Sequence, residues 1–340
     1  MNRRNFIRGL TSGMVAAGVA TTAASALSIS GQPRKSFVGS PVALIKGGDR
    51  RRNALAALEM IEPEIRAGIE RKKQIVIKPN LTRVKKDEWL ASTHLDSVWA
   101  LCETISSFHK GRIIIAEGTG PGTPLQEALE SFDYPLLEKQ FNVEFVDLRL
   151  DDYTFGYVLD TNMRPIRIRM SKLLLDPDTF LISAAVLKTH TLSVVTLGLK
   201  NIALAAPMNF DGKENDRRKL HRDDVSADPR PLNFNLFQMA QIVTPDLVTI
   251  DGFIGMEGDG PLYGGPVESN LAIAGMDWLA TDRVGVEVMG FDFERVGHYC
   301  YCAEAGMGEA NLEKIKVLGE SIGNCTRTYK PPKSYESIVI

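Results

Sequence analysis

Cysteine is scarce: Cys102, Cys300, Cys302 and Cys325 are the only four in 340 residues. A secreted disulfide scaffold places more of them in a shorter chain, so that class is excluded. Net charge is scarce too, −2 from 40 basic and 42 acidic side chains. Bulk electrostatics therefore gives no reason to expect a nucleic-acid partner. No Gly-Lys-Ser/Thr step occurs, which excludes a P-loop nucleotide site, and neither the Rossmann glycine fingerprint nor EF-hand carboxylate spacing is present. Internal repeats and low-complexity tracts are absent. What remains is a chain that is 44% hydrophobic and 24% charged, ample for a large globular core and unlike disordered, collagenous or coiled-coil sequences.

The charge is unevenly spread. Residues 1–26 carry Arg3, Arg4 and Arg8 and no acidic residue, so the chain beyond them is three charges more acidic than the whole. A basic start, an uncharged Gly9–Ala26 stretch of Ala, Gly, Val, Thr and Ser, and a small-x-small Ala24-Ser25-Ala26 site predict a signal peptide. The paired arginines followed by Phe6 and Ile7 mark it as the twin-arginine type. The Gly9–Ala26 stretch is a poor membrane span, so no stable span is expected after cleavage. The expected organisation is a signal over 1–26, a tether over 27–35, an α/β domain over 36–325, of one or two lobes, and a C-terminal tail over 326–340. The expected location is periplasmic or otherwise exported, with the twin-arginine translocase as partner during export.

Short runs rich in β-branched residues read as buried parallel strands: Pro41–Lys46, Gln74–Lys78, Arg112–Glu117, Val143–Leu148 and Thr179–Lys188. Amphipathic stretches alternate with them, at Asn53–Glu70, Asp96–Lys110, Pro124–Gln140 and Leu192–Ala206. The alternation predicts an α/β fold, a mainly parallel, doubly wound sheet flanked by helices. Gly156–Met170 reads instead as an inserted antiparallel hairpin. The interval Lys213–Arg230 is crowded with charges of both signs and reads either as a solvated loop or as a lid over a site.

Ligands of open parallel sheets gather where strands end, so polar residues at strand exits are the candidates. Lys78 and Asn80 flank Pro79, which forces an extended exit. Glu117 opens a glycine-rich turn, Gly118–Thr123, whose amides can cradle an anion. Lys188, Thr189 and His190 end the longest apolar run, ahead of a helix that Thr191 would cap. Lys200 and Asn201 follow inside an apolar stretch, where a lysine either snorkels to solvent or binds an anion. The segment Asp251–Pro261 reads as a glycine-rich loop, with Asp251 and Glu257 as candidate ligands for a hard divalent metal. Asp277 is placed to cap a helix from Trp278 to Met289. Cys102 reads as a buried small hydrophobe. Cys300 and Cys302 form a C-x-C that supplies only half of a four-thiolate site, so an iron–sulfur cluster is not expected from this chain alone.

Together these segments resemble the domain of unknown function 362 family over roughly Val42–Gly319. The resemblance rests on Ile77-Lys78-Pro79-Asn80-Leu81, the Thr93 segment, Glu117-Gly118, Lys188-Thr189-His190 and Gly198-Leu199-Lys200-Asn201. It extends to Asp251-Gly252, Met256-Glu257-Gly258, Gly260-Pro261, and Asp277 with Ala280 and Asp282. It implies an α/β fold and a site built from lysines and carboxylates. Some members carry a ferredoxin-like cysteine-rich segment or are described as iron–sulfur proteins, and that segment is missing here.

The expected function is an enzyme acting on a small anionic substrate, a carboxylate or phosphate. Lys78, Asn80, Lys188, Lys200 and Asn201 would bind it, and His190, Glu117 or Glu257 would move protons. The alternatives are a periplasmic anion-binding or carrier protein using the same lysines, and a metal or redox cofactor protein.

Overall fold

The computed structural model describes residues 41–337 apart from 82–85, 121, 161, 210–214 and 222–227. The export signal expected over 1–26, the tether over 27–35 and much of the polar interval 213–230 lie outside the described residues. In chain order the strands are β1 (Pro41–Lys46), β2 (Gln74–Lys78), β3 (Ile113–Glu117), β4 (Val143–Asp147), β5 (Tyr153–Leu159), β6 (Pro165–Ser171), β7 (Thr179–His190), β8 (Val194–Thr196), β9 (Leu247–Glu257), β10 (Gly265–Gly275) and β11 (Lys316–Gly319).

Nine strands form one sheet in the order β11-β1-β10-β9-β7-β2-β3-β4, with β8 paired on the end of β7. The block β9-β7-β2-β3-β4 is parallel throughout. β10 runs antiparallel between β9 and β1, while β11 is parallel to β1. The fold is thus mixed α/β with a mainly parallel sheet. β5 and β6 form the separate antiparallel hairpin, with Leu159 opposite Pro165. The chain builds outward through β2, β3 and β4, then returns to place β7 on the other side of β2. This topological switch is where open α/β sheets leave a crevice at their carboxyl edge.

Period-two alternation divides the core between the two faces. Ile75 and Ile77 join the cluster beneath the Arg50–Glu59, Glu62–Ile69 and Leu95–Phe108 helices, and Val76 joins the cluster on the other face. The opposite face is covered by the Gly198–Ala203, Arg230–Ala240, Trp278–Val288 and Gly297–Glu304 helices. All twelve residues of β7 are buried. Each buried Phe, Leu, Ile or Val contributes about 1.5–3 kcal/mol, enough for one strand to carry a charged residue into the interior at its end.

Several local expectations are corrected. The stretch expected as one helix over Asn53–Glu70 is two, split at Met60–Ile61 before Pro63, and Pro124–Gln140 is split where Asp133 adopts φ 61°. Leu192–Ala206 is not a helix from its start. The β-branched Val194, Val195 and Thr196 form β8, which pairs Thr196 with Lys188, and the helix begins only at Gly198. Thr191 consequently caps nothing; its N–H donates to Gly260 O, 3.0 Å. The Asp251–Pro261 segment is strand as far as Glu257. Its glycines serve packing: a Cβ at Gly255 would collide with Tyr329 and the Leu187 carbonyl. Asp277 does cap the Trp278–Val288 helix, accepting from Leu279 N and Ala280 N.

The end of the chain packs back on the domain. Tyr329 is buried, its hydroxyl 2.8 Å from Ser269 Oγ, and its N–H donates to Met289 O. Gly258 N donates to Lys330 O, Lys330 N to Glu257 Oε2, and Lys333 N to Asp259 Oδ1. Arg327–Lys333 is therefore a strap along the end of β9.

Candidate functional site

β2 and β3 end side by side, β7 runs on past them from Ser183, opposite Lys78, to His190, and residues of all three exits converge on one buried polar centre. Lys78 Nζ lies 3.0 Å from Glu117 Oε2 and donates to Asn201 Oδ1 at 2.8 Å. Pro79 ends the strand ladder, and the extended exit turns Leu81 N onto Glu117 Oε2, 2.7 Å, while Gly118 N takes Oε1 at 2.8 Å. Both oxygens of Glu117 are thereby committed. Asn201 is equally committed: its oxygen also accepts from Asn80 Nδ2, and its amide donates to Lys78 O and Ser183 Oγ. Thr93 holds Asn80 in place, accepting from Asn80 N and donating to Ala184 O.

Two lysines are less completely served. Lys188 Nζ donates to Ala91 O at 2.8 Å and, at 3.4 Å, to Asn80 Oδ1. Lys200 Nζ donates to Ser193 Oγ at 3.0 Å and Thr196 Oγ1 at 3.4 Å. Lys200 does not snorkel; it is 0% exposed, and Lys188 1%. Among the described residues neither has a carboxylate within ion-pair reach. Burial, and next the Lys78 ammonium, push Lys188 down to about 7 against the opposing Glu117 carboxylate. Burial and Lys188 push Lys200 far below the usual lysine range. Lys78 is also lowered by burial, with Glu117 opposing.

His190 has its protonation pattern set by its contacts. Nδ1 accepts from Leu192 N at 3.0 Å, so Nε2 bears the proton and points at His221 Nε2, 3.1 Å away. Burial and the neighbouring Lys200 hold His190 well below the usual histidine range. It is a neutral donor at Nε2.

His221 arrives from the polar interval. Its described portion includes the Asp216–His221 helix, with Leu220 and Asp216 buried and Asp216 accepting from Arg169 Nε at 2.7 Å. Arg217 of the same helix donates from Nη2 to Gly118 O at 2.6 Å. This portion is a packed helix against the Glu117 and His190 exits, not a solvated loop.

The remaining candidates lie apart. Asp251 accepts from Ser97 Oγ at 2.9 Å and pairs with Arg50, 3.2 Å. Glu257 sits six residues on along β9, about 20 Å at ~3.3 Å per residue, and accepts from Lys330 N. The expected Asp251–Glu257 metal pair is not assembled, because one strand holds both ends at a distance. Among the described residues no three His, Cys, Asp or Glu side chains gather as a metal cluster. The four cysteines are buried; Cys300, whose Sγ donates to Phe293 O, and Cys302 lie on the Gly297–Glu304 helix.

Asp282, which the sequence placed in the family resemblance without a role in the site, accepts from Gly198 N, Leu199 N and the Tyr299 hydroxyl at 2.8–2.9 Å. It fixes the start of the short helix that carries Lys200 and Asn201, and a Cβ at Gly198 would strike both Asp282 and Val248. Burial raises Asp282 to about 7. Ser193, Arg217 and His298 were missed; they reach the centre only through tertiary packing and carry no local motif.

The architecture is that of a doubly wound α/β protein with a buried lysine centre at its topological switch. Its sequence matches the family described as Domain of unknown function (DUF362) over residues 75–287, and the chain belongs to that family. It is 25% identical over 220 residues to the thylakoid-associated protein sll1697 of Synechocystis sp., a match covering 64% of each chain. The chain therefore spans about two thirds of that relative's length. A crystal structure of a Thermotoga maritima protein is similar at 12% identity and a TM-score of 0.36, covering 66% of this chain and 57% of that one. No helix among the described residues is long and apolar enough to cross a membrane.

Proposed function

We propose that the lysine centre binds a small carboxylate or phosphate and that the protein is an exported enzyme acting on it. One observation carries the reading: three buried lysines, Lys78, Lys188 and Lys200, share one described carboxylate, Glu117. Unpaired buried charge is costly, and a bound anion supplies the missing counter-charge. Lys78 is satisfied by Glu117 and Asn201, so Lys188 and Lys200 are the lysines left to hold the anion. Lys188, near 7, is matched to proton transfer at neutral pH. In this reading Lys188 moves the proton, His190 donates a hydrogen bond from Nε2, and Glu117 serves as counter-charge.

Titration calorimetry of the folded protein with inorganic phosphate and acetate tests this. Binding that weakens at least tenfold in Lys200→Met supports it; no binding by the folded wild type overturns it. A carrier without turnover is the second reading, favoured by the full engagement of Glu117, which leaves the centre no uncommitted carboxylic acid. Turnover with a rate inflection near pH 7, lost in Lys188→Met, separates enzyme from carrier. Export through the twin-arginine route rests on Arg3 and Arg4, and a thylakoid-associated relative does not conflict with it. Replacing both arginines by lysine is expected to leave the full chain inside the cell, as read by fractionation.

A further inference from the structure

His298 is 0% exposed, and its Nε2 is a buried polar atom with no hydrogen-bond partner among the described residues. Its protonation pattern follows from Asn233. The Asn233 amide donates to Leu192 O and Pro229 O, which fixes Oδ1 as the acceptor facing His298. Oδ1 accepts from His298 N at 3.2 Å and lies 2.9 Å from His298 Nδ1, so Nδ1 carries the ring proton. Nε2 is left as a lone pair, an acceptor with nothing to accept. Burial and the nearby Lys200 hold the ring neutral.

Two connections tie this acceptor to the lysine centre. Through Asn233, His298 shares residue Leu192 with His190, and the next residue, Ser193, accepts from Lys200. On the other side Tyr299, whose ring centroid is 4.1 Å from that of His298, hydrogen-bonds Asp282, which clamps the helix carrying Lys200. The unspent acceptor thus belongs to the interior that holds Lys200.

We propose that His298 Nε2 is a ligand contact of this centre, and that the bound anion is an oxyanion carrying one O–H, either a hydroxycarboxylate or a phosphate with a protonated oxygen. The inference rests on the anion-binding reading above. An anion with no proton to offer leaves Nε2 orphaned and lone pair against negative oxygen. An anion with one O–H spends it there while its charged oxygens take the lysines. His298 lies beyond residues 75–287, so this contact is added from outside the family-matched segment.

The test compares two pairs of probes at pH 7.5 by titration calorimetry: inorganic phosphate against sulfate, and glycolate against acetate. The wild type is expected to bind phosphate and glycolate at least about tenfold tighter than sulfate and acetate, as a buried acceptor left unpaired requires. His298→Phe should remove that preference, phosphate and glycolate weakening and sulfate and acetate tightening as the opposing lone pair is lost. Equal wild-type affinities within both pairs overturn the role of His298, even if the variant fails to fold, and leave the lysine centre standing. Binding of none of the four to folded wild type overturns the anion-binding reading itself. A preference in the phosphate pair alone assigns a phosphate; one in the glycolate pair alone assigns a hydroxycarboxylate.

Discussion

Two buried charged groupings sit on this sheet, and they are balanced differently. At Arg50–Asp251 one guanidinium meets one carboxylate at 3.2 Å, with Ser97 Oγ and Phe253 N completing the carboxylate's contacts. At the β2, β3 and β7 exits three lysines are buried and, among the described residues, only Lys78 meets a carboxylate, Glu117. The first is closed within the chain and needs nothing further. The second is open, and its missing charge is the strongest mark of function in the molecule. Ionisable residues buried without partners are costly, so folds keep them where a ligand completes them.

The sharpest way to break this contrast is Glu117→Gln. It removes the centre's described counter-charge and leaves Lys78 buried and unpaired, so urea unfolding should show a loss of about 3–5 kcal/mol, with an unchanged m value. Inorganic phosphate should restore part of it by mass action.

The pH dependence of stability comes next. Lys188 lies at about 7 in the fold and at 10.5 ordinarily. Between those values the unfolded chain binds more protons, so this contribution to stability rises with pH from about 7 to 10. Lys78 and Lys200 are shifted in the same direction. Asp282 is raised to about 7 from 3.8, so between about 4 and 7 the folded chain binds more protons and stability falls as pH rises. The two limbs meet in a minimum near neutral pH, a few kcal/mol deep at about 1.36 kcal/mol per pKa unit. Asp282→Asn should flatten the acid limb and Lys188→Met the alkaline limb, read as denaturation midpoints across pH 4–10. A maximum near pH 7 in both variants and wild type would erase the contrast.

Arg50→Met should cost about 1–3 kcal/mol by leaving the Asp251 carboxylate short of its partner, and phosphate should raise variant and wild type equally, leaving that gap unchanged. A gap narrowed by phosphate would mean the two groupings are not independent. Smallest of all, Lys73→Ala at the exposed Lys73–Asp178 pair should leave the denaturation midpoint unchanged within error.

The sequence made half of the open centre readable. Lys78, Asn80, Glu117, Lys188 and His190 follow directly on apolar runs, and strand exits are where a parallel sheet gathers ligands. Lys200 stood out because it interrupts an apolar stretch. His298 and Arg217 had no such signal, and Asp282 stood in the family resemblance with nothing to tie it to the lysines; three different helices bring them in, and only packing relates those helices to the strand exits. The charge density of Lys213–Arg230 concealed the Asp216–His221 helix, since polar composition normally marks solvated chain. Val194, Val195 and Thr196 did carry a signal, three β-branched residues in succession, but helical spacing of the apolar residues around them masked it.

The strap formed by Arg327–Lys333 bears on how the protein is handled. Tyr329 fills the notch that Gly255 leaves open in β9, and its neighbours occupy Glu257 and the Gly258 turn. A chain stopped after Cys325 would uncover an apolar slot flanked by unpaired backbone groups, the kind of edge that recruits a second molecule. Fusion partners and affinity tags therefore belong beyond the strap, and a protease that clips it should promote aggregation before the sheet itself unfolds.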